Sequence, residues 1–147
     1  ASTAAGRTTN LSSEPISGVA REANIIAVNV FARFPASQCG PGATQPCIQS
    51  WTSDQIAALD WLYLNRASLN LASINMSLGG GQNFSACDGT DPRTTVINNL
   101  RSAGIATVIA SGNNGFTNSV STPACISSAI TVGATYSSAR RSSGGKA

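Results

Sequence analysis

Asn113 and Asn114 close the run "ATVIASGNNG", residues 106–115, where β-branched and apolar residues give way to Ala110, Ser111 and Gly112 and then to two amides. A second run, "INMSLGGG", residues 74–81, ends in the same way with Ser77, Leu78, Gly79 and two further glycines. Small residues let another backbone approach closely. A side-chain amide beside such a slot can donate a hydrogen bond to a developing oxyanion. A Gly-Asn pair after a strand is ordinarily only a turn, so spacing alone leaves both readings open. Other chemistries find less support. The chain has no His, and it carries no GxGxxG, GxxxxGK[ST] or GxSxG pattern for dinucleotides, phosphates or a nucleophile elbow.

These two runs need elements to position them. "ANIIAVNVF" (Ala23–Phe31), "ASINMS" (Ala72–Ser77), "IATVIASG" (Ile105–Gly112) and "SSAITVGAT" (Ser127–Thr135) are short apolar, β-branched runs and read as strands. "TSDQIAALDWLYLNRA" (Thr52–Ala67) opens with a Thr-x-Asp start signal, and Ile56, Leu59, Leu62 and Tyr63 recur at helical spacing. "DPRTTVINNLRSAG" (Asp91–Gly104) places Asp91 and Pro92 at the cap and first turn of a second helix and Gly104 at its stop. Strands alternating with such helices predict βαβ units and a parallel sheet. In such sheets ligands sit at the carboxyl ends of the strands, which is where both runs of small residues fall. "NNGFTNSVSTPACIS" shows no clear helix and reads as a loop.

The chain has 147 residues, 41% hydrophobic and 10% charged, which suits one folded domain. Of its 9 basic residues, Arg140, Arg141 and Lys146 lie in the last eight, "RRSSGGKA"; the other 6 balance the 6 acidic ones. We therefore read residues 1–136 as the domain and 137–147 as a basic, disordered tail. A nucleic-acid site would need a basic stripe on the folded body, so no nucleic-acid partner is expected. No apolar run is long enough to span a bilayer, and no membrane partner is expected. The four cysteines, Cys39, Cys47, Cys87 and Cys125, allow three pairings. Without His or a CxxC spacing they make a poor metal set. "CGPGATQPC", with two Pro and two Gly, suits closure by its own bridge, so the expected pairs are Cys39–Cys47 and Cys87–Cys125. Disulfides imply an oxidising, extracellular setting.

"SGVAREANIIAVNVF", "INMSLGGG", "ATVIASGNNG" and "PACISSAITVGAT" resemble, in order and spacing, consecutive segments of the subtilisin-like serine peptidases. The resemblance covers roughly residues 16–136 and is closest to Cys-containing, secreted bacterial members. It implies a three-layer α/β fold: a mostly parallel, twisted sheet, here of about four strands, with helices packed on it. It implies that Asn113 is the oxyanion-hole donor. It makes Ala110, Ser111 and Gly112 the floor and wall of the pocket for the residue before the scissile bond. Ser77, Leu78 and Gly79 become the segment that pairs with an extended peptide or protein substrate. Asn114 falls at a variable position with no role.

The family's Asp–His–Ser triad finds no match. "ASTAAGRTTN" resembles the tail of the helix bearing the catalytic His, and the Ser segment would lie beyond Ala147. The expected function is thus that of a subtilisin-like endopeptidase fragment, proteolytically inactive as it stands. The alternatives are weak carboxylester hydrolysis through an exposed serine such as Ser111, and a non-catalytic peptide-binding module. No cofactor and no metal are expected, since "NLSSEPI" is a poor match to the family's calcium loop. In the family the Asp-bearing strand lies between the equivalents of Ala23–Phe31 and Ala72–Ser77. Its absence predicts either direct pairing of those two segments or a homodimer through the open sheet edge.

Overall fold

The computed structural model describes residues 9–11, 14–16, 18–42 and 44–134. The basic tail, 137–147, lies outside them. Its centre is a three-stranded parallel sheet of β5 (Ser73–Met76), β7 (Ala106–Ala110) and β9 (Ile130–Val132), in the order β5-β7-β9. Two helices, α1 (Thr52–Asn65) and α2 (Thr94–Ser102), supply the crossover layer. The α/β reading therefore holds, with a mostly parallel sheet and helices packed on it.

The alternation in β5 and β7 explains which face they cover. Ile74, Met76, Thr107 and Ile109 are buried, while Ser73 and Asn75 between them are exposed. The buried side meets Leu59 and Leu62 of α1 and Val96, Ile97 and Leu100 of α2 in one hydrophobic cluster, with Ile97, Leu100 and Ile109 fully enclosed. Among the described residues both helices lie on this one face. On the opposite face Ile130 and Val132 of β9 remain about half exposed.

Three smaller ribbons surround the sheet. β1 (Thr9–Leu11) pairs with β2 (Glu14–Ile16), β3 (Ala32–Phe34) with β4 (Cys47–Gln49), and β6 (Gly80–Asn83) with β8 (Val120–Thr122), all antiparallel. The β3–β4 hairpin is closed by Cys39–Cys47, and Cys87–Cys125 joins the segments that follow β6 and β8. Both bridges are the expected ones.

The segment Ala23–Phe31 is a correction. It forms no strand and makes no hydrogen bond to any strand among the described residues, and Ile25, Ile26, Val28 and Phe31 stand exposed. Strand propensity reports how well a segment fits a pleated neighbour, and here no neighbour meets it. Direct pairing of Ala23–Phe31 with β5 therefore does not occur.

The helix starts also differ from expectation. α1 begins after Trp51 with no side-chain cap, and Gln55 in its first turn is buried instead, donating from Nε2 to Ser50 Oγ at 3.0 Å. α2 begins at Thr94 rather than at Asp91–Pro92. Asp91 turns back on Arg93: its Oδ1 accepts from the Arg93 backbone N–H at 3.0 Å and from Nε at 2.8 Å, and its Oδ2 accepts from Nη2 at 2.7 Å. Arg93 Nη1 donates to Gln55 Oε1 at 2.6 Å, so one buried network ties the start of α2 to that of α1.

Candidate functional site

The parallel register sets Ser73 opposite Ala106 and Met76 opposite Ile109. The chain leaving β5 through Ser77, Leu78 and Gly79 therefore runs beside the chain leaving β7 through Ala110, Ser111, Gly112 and Asn113. The two predicted runs are brought together at the carboxyl ends of adjacent strands, as a parallel sheet requires.

What locks them together is the β6–β8 ribbon, which the sequence reading missed. Gly80 pairs with Thr122 and Asn83 with Val120, with an irregularity between. The Ser121 backbone N–H donates to the Ser111 carbonyl at 2.8 Å, and the Ser111 N–H donates to the Val132 carbonyl at 2.9 Å. Ser121 Oγ donates to the Gly81 carbonyl at 3.3 Å, Gln82 Nε2 to Ser119 Oγ at 3.0 Å, and Asn83 Nδ2 to Thr122 Oγ1 at 2.6 Å. Ser121 thus sits at the centre of the wall, 1% exposed.

Two glycines owe their identity to this arrangement. A Cβ at Gly79 would lie 3.0 Å from the Thr122 carbonyl oxygen and 3.3 Å from Ser121 Cβ. At Gly112 it would run into Ser121 Oγ, and the backbone φ of +123° already disfavours any side chain. The smallness of Gly79 and Gly112 is therefore imposed from behind, by Ser121 and, at Gly79, by the Thr122 carbonyl. No signal in the sequence marks Ser121, since its contacts reach back 40 residues to Gly81.

The remaining positions divide by exposure. Ala110 and Ser111 are half-buried, Gly112 and Asn113 are exposed, and Leu78 packs partly against the core. Ser77 is exposed, and its Oγ accepts from Asn75 Nδ2 at 2.9 Å. The Asn113 amide makes no hydrogen bond among the described residues, which leaves both its donors available. Residues 77–83 and 110–122 contain no charged side chain. The wall offers backbone groups, hydroxyls and amides, but no general base.

Asp88 and Asp91 follow the ribbon's first strand in sequence. Asp88 accepts from Ser127 Oγ at 2.6 Å and from its backbone N–H at 3.1 Å, and these bonds hold the carboxyl below its ordinary range. Burial pushes Asp91 up, but the hydrogen bonds and charge of Arg93 bring it below the ordinary value overall. Cys87, Asp91 and Cys125 cluster with ligand atoms within 4.8 Å of one another. Both sulfurs are engaged in the disulfide and the carboxylate in the ion pair, so this cluster offers no thiolate to a metal. A cleft of about 530 Å³ opens on the ribbon, lined by Phe84, Ala86, Asn118, Val120, Ala124 and Thr131 among others; none of the predicted oxyanion or substrate-binding residues lines it.

Comparison with known proteins gives this geometry its lineage. The family model described as Peptidase S8, the subtilase family, matches residues 1–146. Alkaline protease 1 of Aspergillus clavatus is 30% identical over 128 residues, covering 86% of this chain and 27% of that protein. Subtilisin E of Bacillus subtilis is 35% identical over 129 residues, covering 86% and 28%. The extracellular serine proteinase of Thermus sp. strain Rt41A is 42% identical over 91 residues, covering 62% and 20%. The chain thus spans between a fifth and somewhat over a quarter of the length of these relatives. With a family match that runs over 1–146, the chain belongs to the subtilase family of serine peptidases.

Proposed function

We propose that this chain supplies the substrate-binding wall and the oxyanion donor of a secreted subtilisin-like serine endopeptidase. The observation that carries the reading is that Ser77–Gly79 and Ala110–Asn113 leave the same ends of two adjacent parallel strands and both meet Ser121, with the Asn113 amide unengaged. An extended substrate adds as a strand along Ser77, Leu78 and Gly79, held by main-chain hydrogen bonds. Ala110, Ser111 and Gly112 bound the pocket for the side chain before the scissile bond. Asn113 donates to the oxygen that gains charge in the tetrahedral intermediate. In subtilisin itself, removing the corresponding donor lowers the rate about 10²–10³-fold; that magnitude is the relative's own. The two disulfides and the extracellular relative named above support secretion.

The triad base must be a histidine, and this chain has none. Among the described residues Ser111 has no partner that could activate it, which also disfavours ester hydrolysis. We therefore expect no turnover of a chromogenic peptide or a short-chain ester, with or without a serine-directed phosphonate. Casein cleavage by contaminant-free material, abolished by Asn113→Ala, would overturn this.

The reading extends to self-association. The outer edge of β5 has no strand partner among the described residues. Asn24–Phe31 has no charge, Pro or Gly and exposes Ile25 (56%), Ile26 (41%), Val28 (42%) and Phe31 (43%). Such a segment and such an edge invite pairing between copies. Light scattering should show a mass that rises toward a dimer with concentration and returns to the monomer in Val28→Lys. A monomer at every concentration would refute the dimer.

A further inference from the structure

We propose that Asn114 is a self-modifying site: its side-chain amide is lost by attack of the Gly115 backbone nitrogen, leaving aspartate and isoaspartate in its place. Asn114 and Gly115 form the only Asn-Gly pair in the chain. Cyclisation requires the following amide nitrogen to reach the asparagine Cγ. A Cβ on the next residue obstructs that approach, and glycine lacks one. Asn114 and Gly115 lie between β7 and β8, outside any helix or strand, and both are exposed. Gly115 adopts φ +67°. Among the described residues no hydrogen bond holds the Asn114 side chain, and none engages the Gly115 N–H.

Most of the other asparagines between residues 18 and 134 are held by a visible partner, a helix or a bulky neighbour. Asn65 Nδ2 donates to the Trp61 carbonyl at 2.8 Å, Asn75 to Ser77, and Asn83 to Thr122. Asn29 Oδ1 accepts from the Phe31 N–H at 3.1 Å. Asn98 and Asn99 are inside α2. Asn24 and Asn70 precede the bulky Ile25 and Leu71, and Asn113 precedes Asn114. Asn118, exposed and followed by Ser119, is the internal comparison.

The chemistry balances without a cofactor. A base takes the proton of the Gly115 amide, and the nitrogen attacks Asn114 Cγ. The Cγ–Nδ2 bond breaks with loss of ammonia, giving a succinimide. Water opens either carbonyl, so the sum is amide plus water to carboxylate plus ammonium. The product carries a negative charge one residue from Asn113. On the reading of Asn113 as oxyanion donor, that charge opposes the one developing on the substrate, so ageing of this loop would damp the site it borders.

The test is incubation of the intact chain in mildly alkaline and mildly acidic buffer, then reduction, digestion and tandem mass spectrometry of the peptide beginning at Ser102. The expected result is an amide-to-acid mass gain at Asn114, as two separable isomers, faster in alkali, with Asn118 unchanged. Gly115→Ala should slow it several-fold, with folding checked by circular dichroism because of the positive φ. Asn114→Gln, whose longer side chain cannot close the five-membered ring, should stay unmodified. An intact Asn114 in alkali, a rate unchanged in Gly115→Ala, or equal conversion of Asn118 would overturn the proposal. None of these readouts depends on peptide binding or peptidase activity.

Discussion

Asp91→Ala is expected to lower the unfolding free energy by about 3–5 kcal/mol. Asp91 and Arg93 are both buried, with side chains 3% and 7% exposed, and they form a two-pronged pair. Removing the carboxylate leaves the guanidinium enclosed with Gln55 as its remaining side-chain partner. The cost is mainly that of an uncompensated buried charge rather than of the lost bond itself. Urea denaturation should show a lower midpoint with an unchanged slope. A loss below about 1 kcal/mol would show that Arg93 escapes to solvent. Replacing both partners, as Asp91→Leu with Arg93→Met, should recover most of the loss.

The same pair sets an acid limb. Burial raises Asp91, but Arg93 lowers it further, so its folded value lies below the ordinary carboxylate value. Its contribution is complete above the unfolded value of about 3.9 and is lost as pH falls through the folded one. Asp91→Ala should flatten the acid dependence of stability there.

Loss of the Cys87–Cys125 bridge, through paired changes to Ala, is expected to cost about 4 kcal/mol in the chain-entropy model. The estimate follows from its separation of 38 residues. Cys39–Cys47, separated by 8, should contribute less than about 3 kcal/mol. The longer bridge also clamps the β6–β8 ribbon, beside the backbone bond from Cys87 N–H to the Cys125 carbonyl at 3.1 Å. Its removal should therefore loosen the wall around Ser121 as well as shift the denaturation midpoint. A midpoint shift worth under about 1 kcal/mol would mean that the ribbon holds without it.

Much of this was legible in the residues. The strands at Ser73–Met76, Ala106–Ala110 and Ile130–Val132 announce themselves by apolar, β-branched runs, the first helix by the spacing of Ile56, Leu59 and Leu62, and the second by its Pro92 start and Gly104 stop. Local chemistry also favoured the Cys39–Cys47 loop. What escaped depends on distant partners. Ala23–Phe31 has the same pattern as the true strands but pairs with none of the described strands. Gly80–Asn83 has almost no strand propensity, yet it pairs because Val120–Thr122 is delivered beside it. Asp91 looks like a helix cap until Arg93 and Gln55 draw it into a buried network. At the site, the runs of small residues were visible, but the residue that enforces Gly79 and Gly112 was not.

Titrating an extended, uncleaved peptide into the isotope-labelled chain, with amide resonances followed by NMR, tests the peptide-binding wall most directly. Saturable shifts at Leu78 and Gly79 and at Ser111–Asn113, diminished for Asn113→Ala only at the Asn113 end, are the expected result. Shifts confined to the cleft around Phe84 and Val120, or none at saturating peptide, would contradict the account.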